Sequence, residues 1–276
     1  SGLRGVSCYA RNAESSAACQ DSLPLTSPKD LQETRRGNFY GEYPPVYYAT
    51  MRIFAGPDLQ FSALVMRLLN AALFVGLASA LAALLPAARR RTLLWGWLAT
   101  LVPLGMFLIP SNNPSGWAVM GVGTAFLALL GWFETEGGRA WALGALYLVG
   151  VVMAAGARGD AAVYIAGATA TVLILKVAKT RGCALKAILP AVGILIALVL
   201  FSSSSQGALA IDGFTGASGS TIPVSGASGV VVPPEGLGLA SYNLLMLPFL
   251  WTGVWGSWGL GWLDTSLPAF VPWAGT

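Results

Sequence analysis

The feature that most constrains this chain is a series of long apolar segments with few charges to keep them in water. Of its 276 residues, 55% are hydrophobic and 10% are charged, whereas soluble domains carry about 25% charged residues. A helix that crosses a bilayer needs about 20 predominantly apolar residues, because inside the hydrocarbon only a closed helix satisfies its own backbone groups. The sequence therefore predicts an all-α membrane protein, built as a polytopic helical bundle with extracytoplasmic loops.

Hydropathy divides the chain into four parts. Residues 1–60 are polar and irregular and predict a loop domain. Residues 61–201 predict a bundle of about six spans, with ranges 61–85, 93–109, 117–133, 141–157, 161–175 and 188–201. Residues 202–238 are rich in serine and glycine and predict a flexible loop. Residues 239–276 hold a tryptophan-rich segment, interpreted as interfacial or re-entrant with a distorted span as the alternative, and the start of a further span.

Basic residues lie in short clusters between the apolar segments. One cluster is the three arginines at 89–91, and the other comprises Lys176, Lys179, Arg181 and Lys186. The positive-inside rule places both clusters in the cytoplasm and residues 1–60 outside it. This orientation explains the formal net charge of +4 better than nucleic-acid binding does, so no nucleic-acid partner is expected. The predicted location is the cell membrane, crossed several times.

The chain has three cysteines and no histidine. The absence of histidine argues against haem proteins, zinc proteins and histidine-dependent hydrolases. Cys8 and Cys19 lie in the loop predicted to be extracytoplasmic, where an oxidising compartment allows a disulfide between them. Metal binding by these two thiols is the weaker alternative. Cys183 lies in the predicted inner loop as a reduced thiol.

Three charged residues are candidates for binding a substrate. Arg67 lies within the first predicted span, and a charge at membrane depth usually faces a cavity or a partner. Snorkelling towards the headgroups is its alternative interpretation. Arg158 and Asp160 follow another predicted span, where the guanidinium could hold a phosphate and the carboxylate could act as a base or hold a divalent cation. A structural salt bridge gives the same sequence pattern, and no other cofactor is evident.

Aromatic and amide side chains supply further candidates. Tyr47 and Tyr48 follow two prolines just before the first predicted span, and their rings and hydroxyls could contact a sugar or a lipid headgroup. An aromatic belt at the membrane surface is the alternative. Asn113 could hydrogen-bond sugar hydroxyls, although an ordinary turn uses the same residue. The sequence shows no glycine-rich phosphate loop and no internal repeat, which weakens a transporter built from inverted repeats.

Short segments in a fixed order suggest a family. They are SCYA (7–10), AAC (17–19), YPPVYY (43–48), MR (66–67), NPSG (113–116), ARGD (157–160), GWLDT (261–265) and LP (267–268). Together they resemble an actinobacterial membrane-protein family catalogued as domain of unknown function 2142. That family is similar in organisation to the GT-C class of glycosyltransferases, which take sugars from polyprenyl-phosphate donors outside the cytoplasm.

The resemblance implies a GT-C-like fold with an outward-facing site and a polyprenyl-phosphate-linked sugar as partner, besides membrane lipids. Arg67 and Arg158 would contact the lipid phosphate, and Tyr47, Tyr48 and Asn113 the sugar or headgroup. The implied function is glycan synthesis for the cell envelope. A non-catalytic subunit of a larger membrane complex, packed through small residues at 144–156, is the alternative, and a transporter is the third.

One departure from the GT-C pattern concerns the catalytic residue. GT-C enzymes usually carry an acidic motif in the loop after an initial helix, and none of the carboxylates at 30, 33 and 42 matches that motif. We therefore expect the chain to be a fragment that lacks the first helix and the C-terminal part. No catalytic base is assigned from the sequence.

Overall fold

The computed structural model describes residues 14, 15, 17–20, 38, 41–176, 185–205, 241, 244–249, 267, 268, 270 and 271. Within these residues the secondary structure is helical and contains no strand, which confirms the all-α prediction. A 3-10 turn, Ala17–Gln20, precedes the helices α1 (Pro45–Arg52), α2 (Leu59–Leu84), α3 (Ala87–Thr100), α4 (Pro103–Leu108), α5 (Pro114–Glu134), α6 (Gly137–Ala157), α7 (Ala161–Lys176) and α8 (Ile188–Ser202), and residues 244–249 are helical as well.

The chain forms two compact units. One consists of Ser1–Phe39, Val102–Phe107 and Val232–Thr276, and its described parts are the 3-10 turn, most of α4 and short pieces near the C-terminus. The other consists of Tyr40–Leu101 and Leu108–Val231 and contains the remaining helices. The candidate residues belong to the range of this second unit, apart from Cys8 and Cys19, which belong to the range of the first.

Three of the described helices are long and apolar enough to cross a bilayer. They are Gln60–Leu84 within α2, Pro114–Glu134 and Gly137–Ala157. The helices α7 and α8 are also apolar but shorter. These lengths support a membrane protein with several spans, while the number of about six stays a prediction.

The predicted span at 93–109 contains two helices instead of one. The helix α3 begins earlier, at Ala87, and ends at Thr100, and α4 begins at Pro103. Proline lacks a backbone N–H and disfavours helical conformation in the residue before it. Val102, the residue before Pro103, is not helical, and Leu101 before it has already left the helical region, with φ −75° and ψ 64°. The prediction of one continuous helix here is therefore wrong.

The core of the second unit lies where α5 and α6 cross. Gly121 and Gly150 face each other so closely that a Cβ on Gly121 would lie 2.5 Å from the Gly150 carbonyl oxygen. Each glycine is followed four residues later by an alanine, Ala125 and Ala154, in the small-xxx-small pattern of close membrane helix pairs. In their most apolar windows α5 is 72% and α6 is 61% buried, against 17% for α2, so α2 is peripheral.

A buried tyrosine joins three helices beside this crossing. Tyr147 of α6 shares a hydrogen bond of 3.1 Å with the Thr169 hydroxyl of α7 and donates to the Pro190 carbonyl of α8 at 3.4 Å. Gly193 of α8 lies against the tyrosine ring, where a Cβ would collide with it. A buried hydroxyl needs such partners, because leaving it unpaired in an apolar core is costly.

Ionic contacts join the helix ends at which α5 finishes and α6 begins. Arg89 of α3 makes a bidentate contact with Glu134, with N···O distances of 2.7 to 3.0 Å. Lys176, the last residue of α7, also pairs with Glu134. One carboxylate therefore links α3, α5 and α7 at this end.

Two further basic residues at the same end bind helix carbonyls. Arg139 donates to three carbonyls of residues 83–85, at the end of α2. Lys186 donates to the Trp132 and Thr135 carbonyls, at the end of α5, at 3.0 and 2.7 Å. Cations at helix C-termini satisfy carbonyls that lack partners and complement the helix dipole. We call this end, with Arg89, Arg139, Lys176 and Lys186, the basic end.

Adding a single methyl group at the α5–α6 crossing should destabilise the protein. In Gly150→Ala the new Cβ would lie 2.7 Å from the Gly121 carbonyl oxygen, and overpacking of this kind costs about 1–3 kcal/mol. We expect a lower thermal midpoint in detergent, followed by tryptophan fluorescence. The matched control is Gly167→Ala on α7, where nothing lies within 4 Å of the added Cβ. Equal midpoints for the two variants would contradict the close crossing.

Candidate functional site

The short helix α1 is anchored against the end of α6. Pro45 occupies its first turn, where the missing N–H of proline has no helical partner to lose. Val46 packs onto Gly156 so closely that a Cβ at Gly156 would lie 2.5 Å from a valine methyl carbon. Because Gly156 lies two residues before Arg158, this contact brings the tyrosines of α1 next to the charged residues that follow α6.

A buried asparagine fixes the neighbouring helices. Asn70 of α2 is fully buried. Its Oδ1 accepts a hydrogen bond of 2.8 Å from the Trp117 indole, and its Nδ2 donates to the Ser111 carbonyl at 2.8 Å. These bonds connect α2 with the start of α5 and the turn before it. The sequence analysis selected the nearby Arg67 and not Asn70. Asn70 could have been found, because a polar side chain within a predicted span usually has a partner in the protein.

Tyr47 is part of this packing. Its side chain is 3% exposed, and its ring makes edge-to-face contacts with Trp117 at 5.3 Å and Tyr48 at 5.4 Å between centroids. Burial raises the pKa of Tyr47 to about 12, and a side-chain hydrogen bond with Asn70 acts in the opposite direction. Tyr47 therefore holds α1 in place, and its predicted contact with a sugar or headgroup stays a prediction.

Arg158 and Asp160 form a bidentate ion pair. The guanidinium donates through Nε and Nη2 to the two carboxylate oxygens at 2.9 and 3.0 Å, and through Nη1 to the Ser115 hydroxyl at 3.0 Å. The hydrogen bonds to Asp160 raise the pKa of Arg158 against the effect of burial. The two side chains are 29% and 35% exposed, so the pair stays accessible. This geometry is that of a structural salt bridge, which the sequence pattern had left open as the alternative to substrate binding.

Asn113 connects with this pair through Ser115. It is the N-cap of α5, with its Oδ1 accepting the Ser115 backbone N–H at 2.9 Å. Its amide therefore performs the role of an ordinary cap, and sugar binding by Asn113 stays a prediction. The sequence analysis did not select Ser115. Its position in the NPSG segment, where a helix starts, could have indicated it.

Tyr48 and Tyr43 border the ion pair. Their rings lie 5.8 Å apart between centroids. Burial raises the pKa of Tyr48, with Tyr43 adding to the effect and the charge of Arg158 opposing it. We name Tyr43, Tyr48, Ser115, Arg158 and Asp160 the tyrosine–arginine cluster. It combines a cation, a carboxylate, a hydroxyl and aromatic rings at the end of the second unit opposite the basic end.

Arg67 is not joined to the tyrosine–arginine cluster by the observed contacts. It is exposed on α2 and makes no hydrogen bond or ion pair within the described part of the chain. Asn112 lies near it, donating to the Ala63 carbonyl one helical turn earlier at 3.3 Å. The observed contacts therefore join Asn113, Arg158 and Asp160 through Ser115, and none of these contacts includes Arg67.

Several predictions fall on residues that are not described. Cys8 and Cys183, residues 206–238 and most of 239–276 lie outside the described residues, whereas Cys19 lies in the 3-10 turn. Among the described residues, no group of three or more histidine, cysteine, aspartate or glutamate side chains could hold a metal ion. The donor set of the tyrosine–arginine cluster does not by itself make a cation site, and we derive no step through a metal.

The raised pKa of Tyr47 predicts a loss of stability in alkali. The pKa is about 12 in the fold against 10.0 for an ordinary tyrosine, which corresponds to roughly 2–3 kcal/mol. Because the pKa is raised, this contribution is present below pH 10 and lost as pH rises towards 12. Thermal midpoints measured from pH 9 to pH 12 should therefore fall less steeply in Tyr47→Phe than in the unchanged protein. Tyr164→Phe, at an exposed position, should follow the unchanged protein.

Comparison with known proteins gives one family. A family model described as "Predicted membrane protein (DUF2142)" matches residues 2–276, nearly the whole chain, and confirms the resemblance drawn from the short segments. Comparisons with curated proteins and with solved structures gave no match. The membrane character of the family agrees with the three long apolar helices. The chain therefore belongs to the DUF2142 family of predicted membrane proteins.

Proposed function

We propose that this membrane protein is glycosyltransferase-like and uses a polyprenyl-phosphate-linked sugar at the extracytoplasmic face for cell-envelope glycan synthesis. The observation that supports the proposal is the tyrosine–arginine cluster, in which the half-buried Arg158 fork lies beside a carboxylate and aromatic rings. A site that binds a phosphate and a sugar together needs a cation with free N–H donors, polar acceptors and flat rings.

Arg158 keeps the capacity to bind an anion while paired. A guanidinium carries five N–H donors, and three of those of Arg158 are used by Asp160 and Ser115. Within the described residues this leaves one N–H on each terminal nitrogen for a ligand. In the proposed complex these two donors contact the phosphate, since planar forks match phosphate oxygens bidentately.

The proposed transfer step places charge where the cluster can stabilise it. The acceptor oxygen forms a bond to the anomeric carbon while the bond from that carbon to the phosphate oxygen breaks. The acceptor proton passes to a base, and Asp160 is the carboxylate in this cluster. The electron pair leaves on the phosphate, where Arg158 stabilises the negative charge.

The distribution of charge supports an extracytoplasmic cluster. Four basic residues from α3, α6, α7 and the start of the α8 segment converge on the basic end. The positive-inside rule assigns such an end to the cytoplasm. The tyrosine–arginine cluster lies at the opposite ends of α5 and α6, which would then face outwards together with residues 1–60.

A disulfide in the N-terminal loop fits the same orientation. We propose that Cys8 and Cys19 form this disulfide, as the sequence predicts. A disulfide persists in an oxidising compartment, so the pairing is consistent with an extracytoplasmic loop.

A transfer assay in membranes tests the proposed function. Vesicles containing the full chain would receive polyprenyl-phosphate-linked sugars with a radiolabelled sugar, and transfer to membrane or glycan acceptors would be counted. We expect Arg158→Gln to lower transfer by at least about tenfold, because removing a charge-stabilising donor costs a few kcal/mol. Arg158→Lys should rescue little, since lysine cannot provide the fork.

The matched control for this assay is Arg52→Gln. Arg52 is an exposed arginine on α1 that lies outside the tyrosine–arginine cluster, and its replacement should leave transfer unchanged. Binding of a labelled polyprenyl phosphate measures the affinity for the lipid phosphate separately from the rate of sugar transfer. If the chain binds polyprenyl phosphate no better than polyprenol, and Arg158→Gln behaves like Arg52→Gln, the proposed function is wrong.

A non-catalytic subunit of a membrane complex is the second candidate. The small residues first considered for partner contact are used inside the chain, since Gly150 packs on α5 and Gly156 on Val46. The observation that favours a subunit is instead the outer surface of α2, where Phe61, Leu64 and Leu68 are exposed beside Arg67. Copurification at fixed stoichiometry, lost on replacing Leu64 and Leu68 with tryptophan, would support this candidate.

A further inference from the structure

An open groove lies at the basic end, away from the tyrosine–arginine cluster. Its volume is about 560 Å³, and it runs between the first turns of α6 and α8. Most of its wall is apolar, with Trp132, Trp141, Ile188 and Val192 among the lining residues. Two charged residues, Glu136 and Lys186, also line it. Among the lining residues that the structure describes, the groove thus combines an apolar channel with one positive and one negative group.

The apolar wall is exposed in a chain that belongs to a membrane. Trp141 is 70% and Ile188 is 58% exposed, and the Trp132 and Trp141 rings pack edge-to-face at 5.3 Å. Tryptophan is enriched at the level of lipid headgroups, where an amphipathic ring meets both water and hydrocarbon. The position of the groove at the start of a candidate span therefore suits a lipid, with an acyl chain along Ile188 and Val192.

The positive group retains a donor for an anion. The Lys186 ammonium has three N–H donors, and two contact the Trp132 and Thr135 carbonyls. The ammonium also lies 5.8 Å from the Trp132 ring centroid, which fixes its position beside the groove. Its third N–H is available to a phosphate oxygen.

The negative group distinguishes among lipid headgroups. Glu136 is exposed and has no hydrogen bond or ion pair in the part of the chain that is described. A carboxylate that lines the same groove as the ammonium would repel a second negative group and attract a positive one. A headgroup with a phosphate and a primary ammonium matches both charges. A glycerol headgroup lacks the positive charge, and a choline headgroup lacks N–H donors.

We propose that this groove binds a phospholipid with a phosphoethanolamine headgroup. Lys186 contacts the phosphate, Glu136 accepts hydrogen bonds from the ammonium, and the apolar wall holds an acyl chain. The site is separate from the proposed transfer site, so neither proposal depends on the other.

Native mass spectrometry of the full chain tests the site. The protein would be equilibrated in detergent with equal amounts of phosphatidylethanolamine, phosphatidylcholine and phosphatidylglycerol carrying identical acyl chains. We expect phosphatidylethanolamine adducts to exceed each of the others by about tenfold, the effect of a charged hydrogen bond. Glu136→Gln should make the phosphatidylethanolamine and phosphatidylcholine adducts equal.

A variant that fills the groove distinguishes lipid bound in the groove from lipid bound elsewhere on the protein. Val192→Trp fills the groove and should lower the phosphatidylethanolamine adduct about tenfold. The matched control is Val199→Trp, two turns further along α8 at an exposed position outside this groove, which should leave the adduct unchanged. Equal retention of the three lipids, a preference for phosphatidylglycerol, or equal adducts in the two tryptophan variants would overturn the proposal. If Val192→Trp aggregates, Glu136→Gln at its exposed position decides the outcome alone.

Discussion

The close backbone contact between α5 and α6 is the constraint on which the rest of the second unit depends. Gly121 and Gly150 allow the two helices to approach until a Cβ would meet the opposite carbonyl. Lipid tails are as apolar as leucine, so membrane helices gain little from burying apolar surface against each other and rely on packing. This crossing fixes how the start of α5 meets the end of α6, and therefore how Ser115 meets Arg158.

The same antiparallel pair separates two kinds of chemistry. At one end, Arg158 is balanced by Asp160 and surrounded by tyrosines, which makes an accessible polar site. At the other end, Glu134 binds two cations from neighbouring helices, and Lys186 binds the carbonyls of α5. Most of the charges at the basic end therefore stabilise helix ends, while the charged pair in the tyrosine–arginine cluster keeps donors for a ligand.

Sequence patterns predicted where the helices lie more accurately than they predicted which side chains contact each other. The predicted spans at 117–133 and 141–157 lie within α5 and α6, because long apolar runs have few alternatives to helix in a membrane. The break after α3 was missed because apolarity continues across it, while Pro103 and the residues before it interrupt the helix. In the candidate site, the sequence pointed to Arg158 and Asp160, but not to Ser115 or the buried Asn70.

The sequence by itself determined that this chain is an all-α membrane protein of the DUF2142 family, since apolar length and segment order are properties of the chain. Only the tertiary structure decided which polar residues meet. Asn113 and Arg158 are 45 positions apart yet both contact Ser115, and Arg67 remains on the surface of α2. The physical reason is that helix crossings and short turns set these contacts, and they depend on packing between segments distant in sequence.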